Sequence, residues 1–266
     1  MSAAVSEEVT GVAASADGTP IAWTRVGSGP AIVLVDGALC TRAFGPAKDV
    51  SAALADRYTV YSYDRRGRGE SGDTQPYSAK REVEDLAAVI EAAGGDAYVA
   101  GQSSGAGLAL EAAAAGVPMR KVASYEAPYV ASATREDHVA ILRDYLAKGE
   151  NGKAVGHFMV KMVGAPAFVP LMMRAMPKVW APMKVTASTL PYDALVMDGF
   201  RVPTARFAAI TVPTLVMGGG KAKADMAKAV QEVADAVPGS TRATLPGQTH
   251  QVSPTVLAAE LSTFFV

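Results

Sequence analysis

Apolar positions along the chain follow two periods, and the switch between them marks out the elements. Val9–Ala14 and Ile21–Val26 read as two strands joined at Asp17-Gly18, a strong short-range hairpin signal. Next, Ala31-Ile32-Val33-Leu34-Val35 is an unbroken apolar run between Gly29-Pro30 and Asp36-Gly37, as a strand covered on both faces would be. Similar runs recur at Tyr58–Tyr63, Ala97–Ala100, Val122–Tyr125, Thr214–Met217 and Thr241–Leu245. Between them lie stretches of helical period, such as Arg81–Ala93, where Val83, Leu86, Ile90 and Ala93 fall three or four apart, and a last helix over Pro254–Phe265. Strands alternating with helices predict βαβ units and a mainly parallel sheet with helices on both faces.

One stretch breaks the alternation. From about Ala131 to Arg206 no buried-strand run occurs; Asp137–Ala147 reads as a helix, and a proline-punctuated tract follows that holds seven of the 11 methionines between Met159 and Met197. The expectation is a helical excursion from the sheet. Methionine at helical spacing is ordinarily core filler, but this clustering points to an adaptable apolar wall over a site.

Composition narrows the function classes. A chain of 266 residues, 50% hydrophobic, is long enough for one large domain or two small ones and needs no disulfide or metal to stabilise its core. With 25 Lys+Arg against 26 Asp+Glu, the net charge of −1 excludes a basic nucleic-acid footprint. Cys40 is the sole cysteine, which excludes an internal disulfide, a cysteine-type structural zinc site and an iron–sulfur cluster. The first residues, Met1 to Glu8, carry no basic n-region, and no apolar stretch approaches the roughly 18 residues of a membrane span. The expected address is cytoplasmic, with no membrane partner.

Gly101-Gln102-Ser103-Ser104-Gly105 has the form G-x-S-x-G, with a strand before it and the helical run Gly107–Ala113 after it. That strand–turn–helix setting is what a nucleophile elbow requires. Ser103 would sit at a helix N-terminus, where developing negative charge is stabilised. A serine hydroxyl needs a base, and the chain has three histidines. His138 and His157 lie in the excursion; His250 follows the last strand, at the carboxyl edge of the sheet where open α/β sheets place their ligands.

Ser103 in its elbow, His250 after the last strand, the opening hairpin and Asp64-Arg65-Arg66-Gly67-Arg68-Gly69-Glu70-Ser71-Gly72 together resemble the α/β-hydrolase fold family. The resemblance implies an eight-stranded, mostly parallel sheet, with residues 1–130 and 206–266 forming the core and 131–205 an inserted helical cap. It further implies an oxyanion hole built from the backbone N–H of Ser104 and of Ala38. Asp36-Gly37-Ala38 stands where the family usually has His-Gly-x, and a carboxylate at Asp36 would have to be tethered by Arg65 or Arg68 to avoid opposing an oxyanion. In the family the third triad member usually follows the penultimate strand as G-x-x-D. Here Gly219-Gly220-Lys221-Ala222 offers no acid until Asp225, at the start of the next helix. Glu126, at the tip of the strand Val122–Tyr125 and kept there by Pro128, is the preferred candidate, since some family branches carry the acid after that strand; Asp225 is the alternative.

Two further glycine patterns do not read as nucleotide- or phosphate-binding loops. Gly67-Arg68-Gly69-Glu70-Ser71-Gly72 matches the dinucleotide fingerprint but does not open directly into a helix, and Gly218-Gly219-Gly220-Lys221 lacks the Ser/Thr of a phosphate loop. The expected activity is a serine hydrolase acting on a small ester or related acyl compound, without cofactor or metal. Phe158, Met159, Met162, Met172, Met173, Trp180 and Met183 are the expected substrate wall, which favours a hydrophobic group. Perhydrolase, lactonase, thioesterase or carbon–carbon hydrolase chemistry, and a non-catalytic ligand-binding homologue, stay open as alternatives.

Overall fold

The hairpin and the runs that follow it become the strands of one eight-stranded sheet. In the computed structural model, which describes residues 8–130 and 137–266, these are β1 (Val9–Ala14), β2 (Pro20–Gly27), β3 (Ala31–Val35), β4 (Thr59–Tyr63), β5 (Tyr98–Gln102), β6 (Val122–Tyr125), β7 (Thr214–Gly219) and β8 (Thr241–Leu245). The expectations on residues 1–7 and on a boundary at Ala131 lie outside the described residues. Spatial order is β1-β2-β4-β3-β5-β6-β7-β8. β1, β2 and β4 pair antiparallel, and from β4 onwards all neighbours are parallel. After β3 the chain steps outwards to β4, then returns to the other side of β3 as β5, so the crevice of a strand-order reversal opens between the loops that follow β3 and β5.

The period of two divides the strand residues between two helical layers. Ile32 and Leu34 pack with α1 (Ala47–Leu54) and α11 (Pro254–Phe264). Val33 and Val35 face the opposite layer, formed by α2 (Ala79–Ala92), α3 (Ser104–Ala114) and α10 (Ala224–Ala236). Cover on both faces explains why these runs do not alternate with polar residues.

Between β6 and β7 the described chain is helical: α4 (His138–Ala147), α5 (Asn151–His157), α6 (Val169–Arg174), α7 (Pro177–Thr186), α8 (Leu190–Val196) and α9 (Thr204–Phe207). Pro170, Pro177 and Pro191 sit in the first turns of α6, α7 and α8, where a missing N–H costs nothing, while Pro182 lies inside α7. Asp137 caps α4 through the Ala140 N–H. Past α5 the helix widens over Phe158–Met162, with the Val163 N–H donating to Phe158 O across five residues. A third apolar cluster joins this segment to Ala38, Leu39 and Phe44 of the loop after β3. Among the described residues no helix is long and apolar enough to cross a membrane.

Candidate active site

Ser103 occupies the sharp turn between β5 and α3 with φ 57° and ψ −130°. A side chain rarely tolerates that region, so neighbouring contacts must impose it. The Ser103 N–H donates to Tyr125 O of β6 at 3.0 Å, and Ser103 O accepts the Ala106 N–H at 2.9 Å. Both glycines of the motif are forced by close approach. A Cβ on Gly101 would lie 2.4 Å from Gly105 O, and one on Gly105 would lie 2.2 Å from Val35 O.

His250 reaches this edge from the loop after β8. That loop is held by Gln102, whose Nε2 donates to His250 O at 3.1 Å, and by Tyr125, whose hydroxyl donates to Thr249 O at 2.6 Å. His250 Nδ1 lies 2.8 Å from Glu126 Oε2, and the other oxygen of Glu126 accepts the Gly219 N–H at 2.8 Å. Glu126 is 1% exposed, sits at φ 47° just past β6, and is gripped by its own N–H donating to Met217 O. Of the two candidate acids, only Glu126 stands beside the imidazole. Asp225 is exposed and accepts the Met226 N–H in the first turn of α10. The triglycine stretch supplies an amide to the acid rather than the acid itself: a Cβ on Gly219 would lie 2.4 Å from Gln248 O.

The loop after β3 runs directly against Ser103. A Cβ on Gly37 would lie 2.9 Å from Ser103 Cβ, and Leu39, two residues on, takes φ 63°. Asp36 departs from expectation, because neither arginine tethers its carboxyl group. Arg65 and Arg68 donate instead to main-chain carbonyls, Asp36 O at 3.4 Å and Gly37 O at 2.6 Å. The Asp36 carboxyl accepts the Ala47 N–H at the start of α1, and burial pushes its pKa up to about 7. Near neutrality this group is therefore about half protonated, which lessens the charge that would oppose an oxyanion. The neighbouring thiol of Cys40 is pushed up to about 12 by burial, with Asp36 adding to the rise, so it carries no thiolate.

Phe158, Met159, Met162, Met173, Trp180 and Met183 all belong to the cluster that touches Ala38 and Leu39. Met172 does not: it is 59% exposed, because adjacent residues on α6 point about 100° apart and Met173 takes the inward direction. Among the described residues no three His, Cys, Asp or Glu side chains converge as metal ligands would. His138 and His157 meet each other in the helical segment, Nδ1 to Nε2 at 3.1 Å.

Sequence reasoning missed Asp193. It lies on α8, is 2% exposed, and accepts from Arg65, Arg68 and the Ser104 hydroxyl. Burial alone would raise its pKa, but Arg68 and Arg65 hold the carboxyl below its ordinary value. The signal was present in Asp64-Arg65-Arg66-Gly67-Arg68: three cations just after a buried strand require buried counter-charges. One such partner comes from more than a hundred residues away, where no local pattern distinguishes it.

The family model described as the alpha/beta hydrolase family matches residues 32–261. An alpha/beta hydrolase from Sphaerobacter thermophilus is 48% identical, with a TM-score of 0.90 over 96% of this chain and 100% of that one. An esterase from Rhodococcus sp. shares the fold at 22% identity and TM-score 0.70, covering 96% of this chain and 98% of its own. An enol-lactonase from Burkholderia xenovorans does so at 18% identity and TM-score 0.70, over 96% and 99%. With the sheet order, the elbow and a match spanning most of its length, the chain belongs to the alpha/beta hydrolase family.

Proposed function

We propose that the protein is a serine hydrolase of carboxylic esters or related acyl compounds that carry a hydrophobic group. The observation that carries this reading is the 2.8 Å contact from Glu126 to His250 Nδ1, on the same sheet edge as the strained Ser103. With Nδ1 engaged by the carboxylate, the other ring nitrogen takes the Ser103 proton as the hydroxyl oxygen attacks the acyl carbon. The carbonyl electrons move onto oxygen, which the N–H groups of Ala38 and Ser104 receive. Collapse expels the alcohol, protonated by His250, and leaves an acyl group on Ser103. Water then attacks through the same base and releases the acid.

The helical segment acts as a cap in this account. Its Phe158, Met159, Met162 and Met173 are partly buried beside Ala38, and unbranched thioether side chains adapt to ligands of varied shape. An apolar acyl or alcohol group fits such a wall better than a sugar or phosphate. The non-catalytic alternative loses its main support, since it drew on the missing acid near Ala222, and another carboxylate, Glu126, stands beside His250. The test is labelling by a fluorophosphonate at neutral pH together with hydrolysis of a p-nitrophenyl butyrate ester. Labelling and turnover that both vanish in Ser103→Ala are expected; a folded wild-type protein that does neither overturns the reading.

A further inference from the structure

Arg65, Arg66 and Arg68 are each 2% exposed or less. Burying guanidinium groups is unfavourable unless their donors are matched, so their partners show what each is for. Arg66 is occupied by Asp85 of α2 and Asp17 of the hairpin turn, and Arg65 by Glu82 of α2 and Asp193, with longer contacts to Asp36 O at 3.4 Å and Ser104 Oγ at 3.2 Å. The ties of Arg66 are architectural, and the short ones of Arg65, to Glu82 and Asp193, go to carboxylates. Arg68 is different: its Nη2 donates to both oxygens of Asp193 at 2.9 and 2.8 Å, its Nε to Thr189 Oγ1 at 3.0 Å, and its Nη1 to Gly37 O at 2.6 Å.

The Gly37 carbonyl and the Ala38 N–H are the two ends of one peptide unit. That unit is planar and trans, so gripping the oxygen fixes the direction in which the N–H points, on the opposite side. A charged donor on the carbonyl also draws electron density out of the amide and strengthens its N–H as a donor. On the other flank, the Ser104 hydroxyl donates to Asp193 Oδ1 at 2.7 Å. One carboxylate from α8 is therefore bonded to the group that aims Ala38 and to the residue that bears the second N–H.

We infer that Arg68 is a positioning residue that aims the Ala38 N–H at the developing oxyanion, and that Asp193 makes this alignment depend on the seating of α8. The inference rests on the acyl-transfer reading above. Arg68→Met is expected to lower kcat roughly 10²-fold with KM within about threefold of wild type, the loss typical of one oxyanion donor. Binding of a trifluoromethyl ketone, which forms a tetrahedral adduct with a serine, should weaken by the same factor. Binding of the matching ether, which fills the apolar site without a carbonyl, should not change. Arg68→Lys, whose ammonium still donates to a carbonyl, should recover about tenfold of the loss.

Should Arg68→Met fail to fold by circular dichroism, Asp193→Asn carries the test, with the same ketone-to-ether contrast and an expected loss of about tenfold. Wild-type ketone affinity in these variants, or equal losses for ketone and ether, overturns the inference and leaves a structural role only. A wild-type protein that neither hydrolyses esters nor binds the ketone overturns the acyl-transfer reading, and the inference with it.

Discussion

The two flanks of Ser103 are built in different ways. On the flank proposed to handle the proton a single carboxylate, Glu126, meets His250 and one backbone amide, and every contributor comes from the ends of β6, β7 and β8 or the loops that follow them. His250 keeps a third of its side chain exposed there. On the proposed oxyanion flank the loop after β3 is held by buried arginines, which share the carboxylate of Asp193 on α8, in the helical segment, while Arg65 also pairs with Glu82 of α2. One flank is complete within the sheet and its loops; the other requires two parts of the chain to meet. Changes on the first side should therefore act on chemistry alone, while changes on the second should couple chemistry, stability and the seating of the helices.

The sharpest way to break that contrast lies on the first flank. Glu126→Gln is expected to lower ester kcat by roughly 10⁴, the typical loss for a triad acid replaced by its amide, with little change in melting temperature. Asp225→Asn should turn over like wild type, and equal losses in the two variants would remove Glu126 from its role.

On the second flank, Asp36 makes stability depend on pH. Its pKa is about 7 in the fold against an ordinary 3.8, so between those limits the folded chain holds a proton that the unfolded chain releases. The contribution of this group to stability is thus fully present below about pH 4 and is lost as pH rises to about 7, by roughly 4 kcal/mol. Asp36→Asn should remove that slope, which urea midpoints measured from pH 4 to 8.5 would show directly. A slope unchanged in the variant would mean that another group titrates.

Gly105→Ala should cost about 3 kcal/mol, because its Cβ would meet the rigid Val35 carbonyl at 2.2 Å. Its loss of activity should accompany the loss of stability. The smallest effects separate the methionines: Met183→Ala, 9% exposed, should destabilise by about 2 kcal/mol, and Met172→Ala, 59% exposed, by less than about 0.5 kcal/mol. Thermal or urea unfolding distinguishes the two.

The sheet was legible because both of its faces are covered. The strand Ala31–Val35 writes its burial as an unbroken apolar run, and the glycines around Ser103 write its close contacts. Glu126 was legible from its place at a strand tip, and the structure sets its carboxylate beside His250. The tether of Asp36 was misread because residue types do not tell whether a guanidinium reaches a carboxylate or the carbonyl beside it. Met172 and Met173 looked equivalent because the tract between prolines is too short for its period to be read. Asp193 was invisible because its partners are distant in sequence and meet it only once α8 is packed.

The central claim is that Ser103 carries the acyl group between two half-reactions. Rapid acid quench of the protein mixed with a p-nitrophenyl ester, followed by peptide mass spectrometry, tests it directly. The account predicts an acyl mass on the peptide containing Ser103, present in wild type, absent in Ser103→Ala and formed far more slowly in Glu126→Gln. Turnover without that adduct, or the adduct on any other residue, would contradict it.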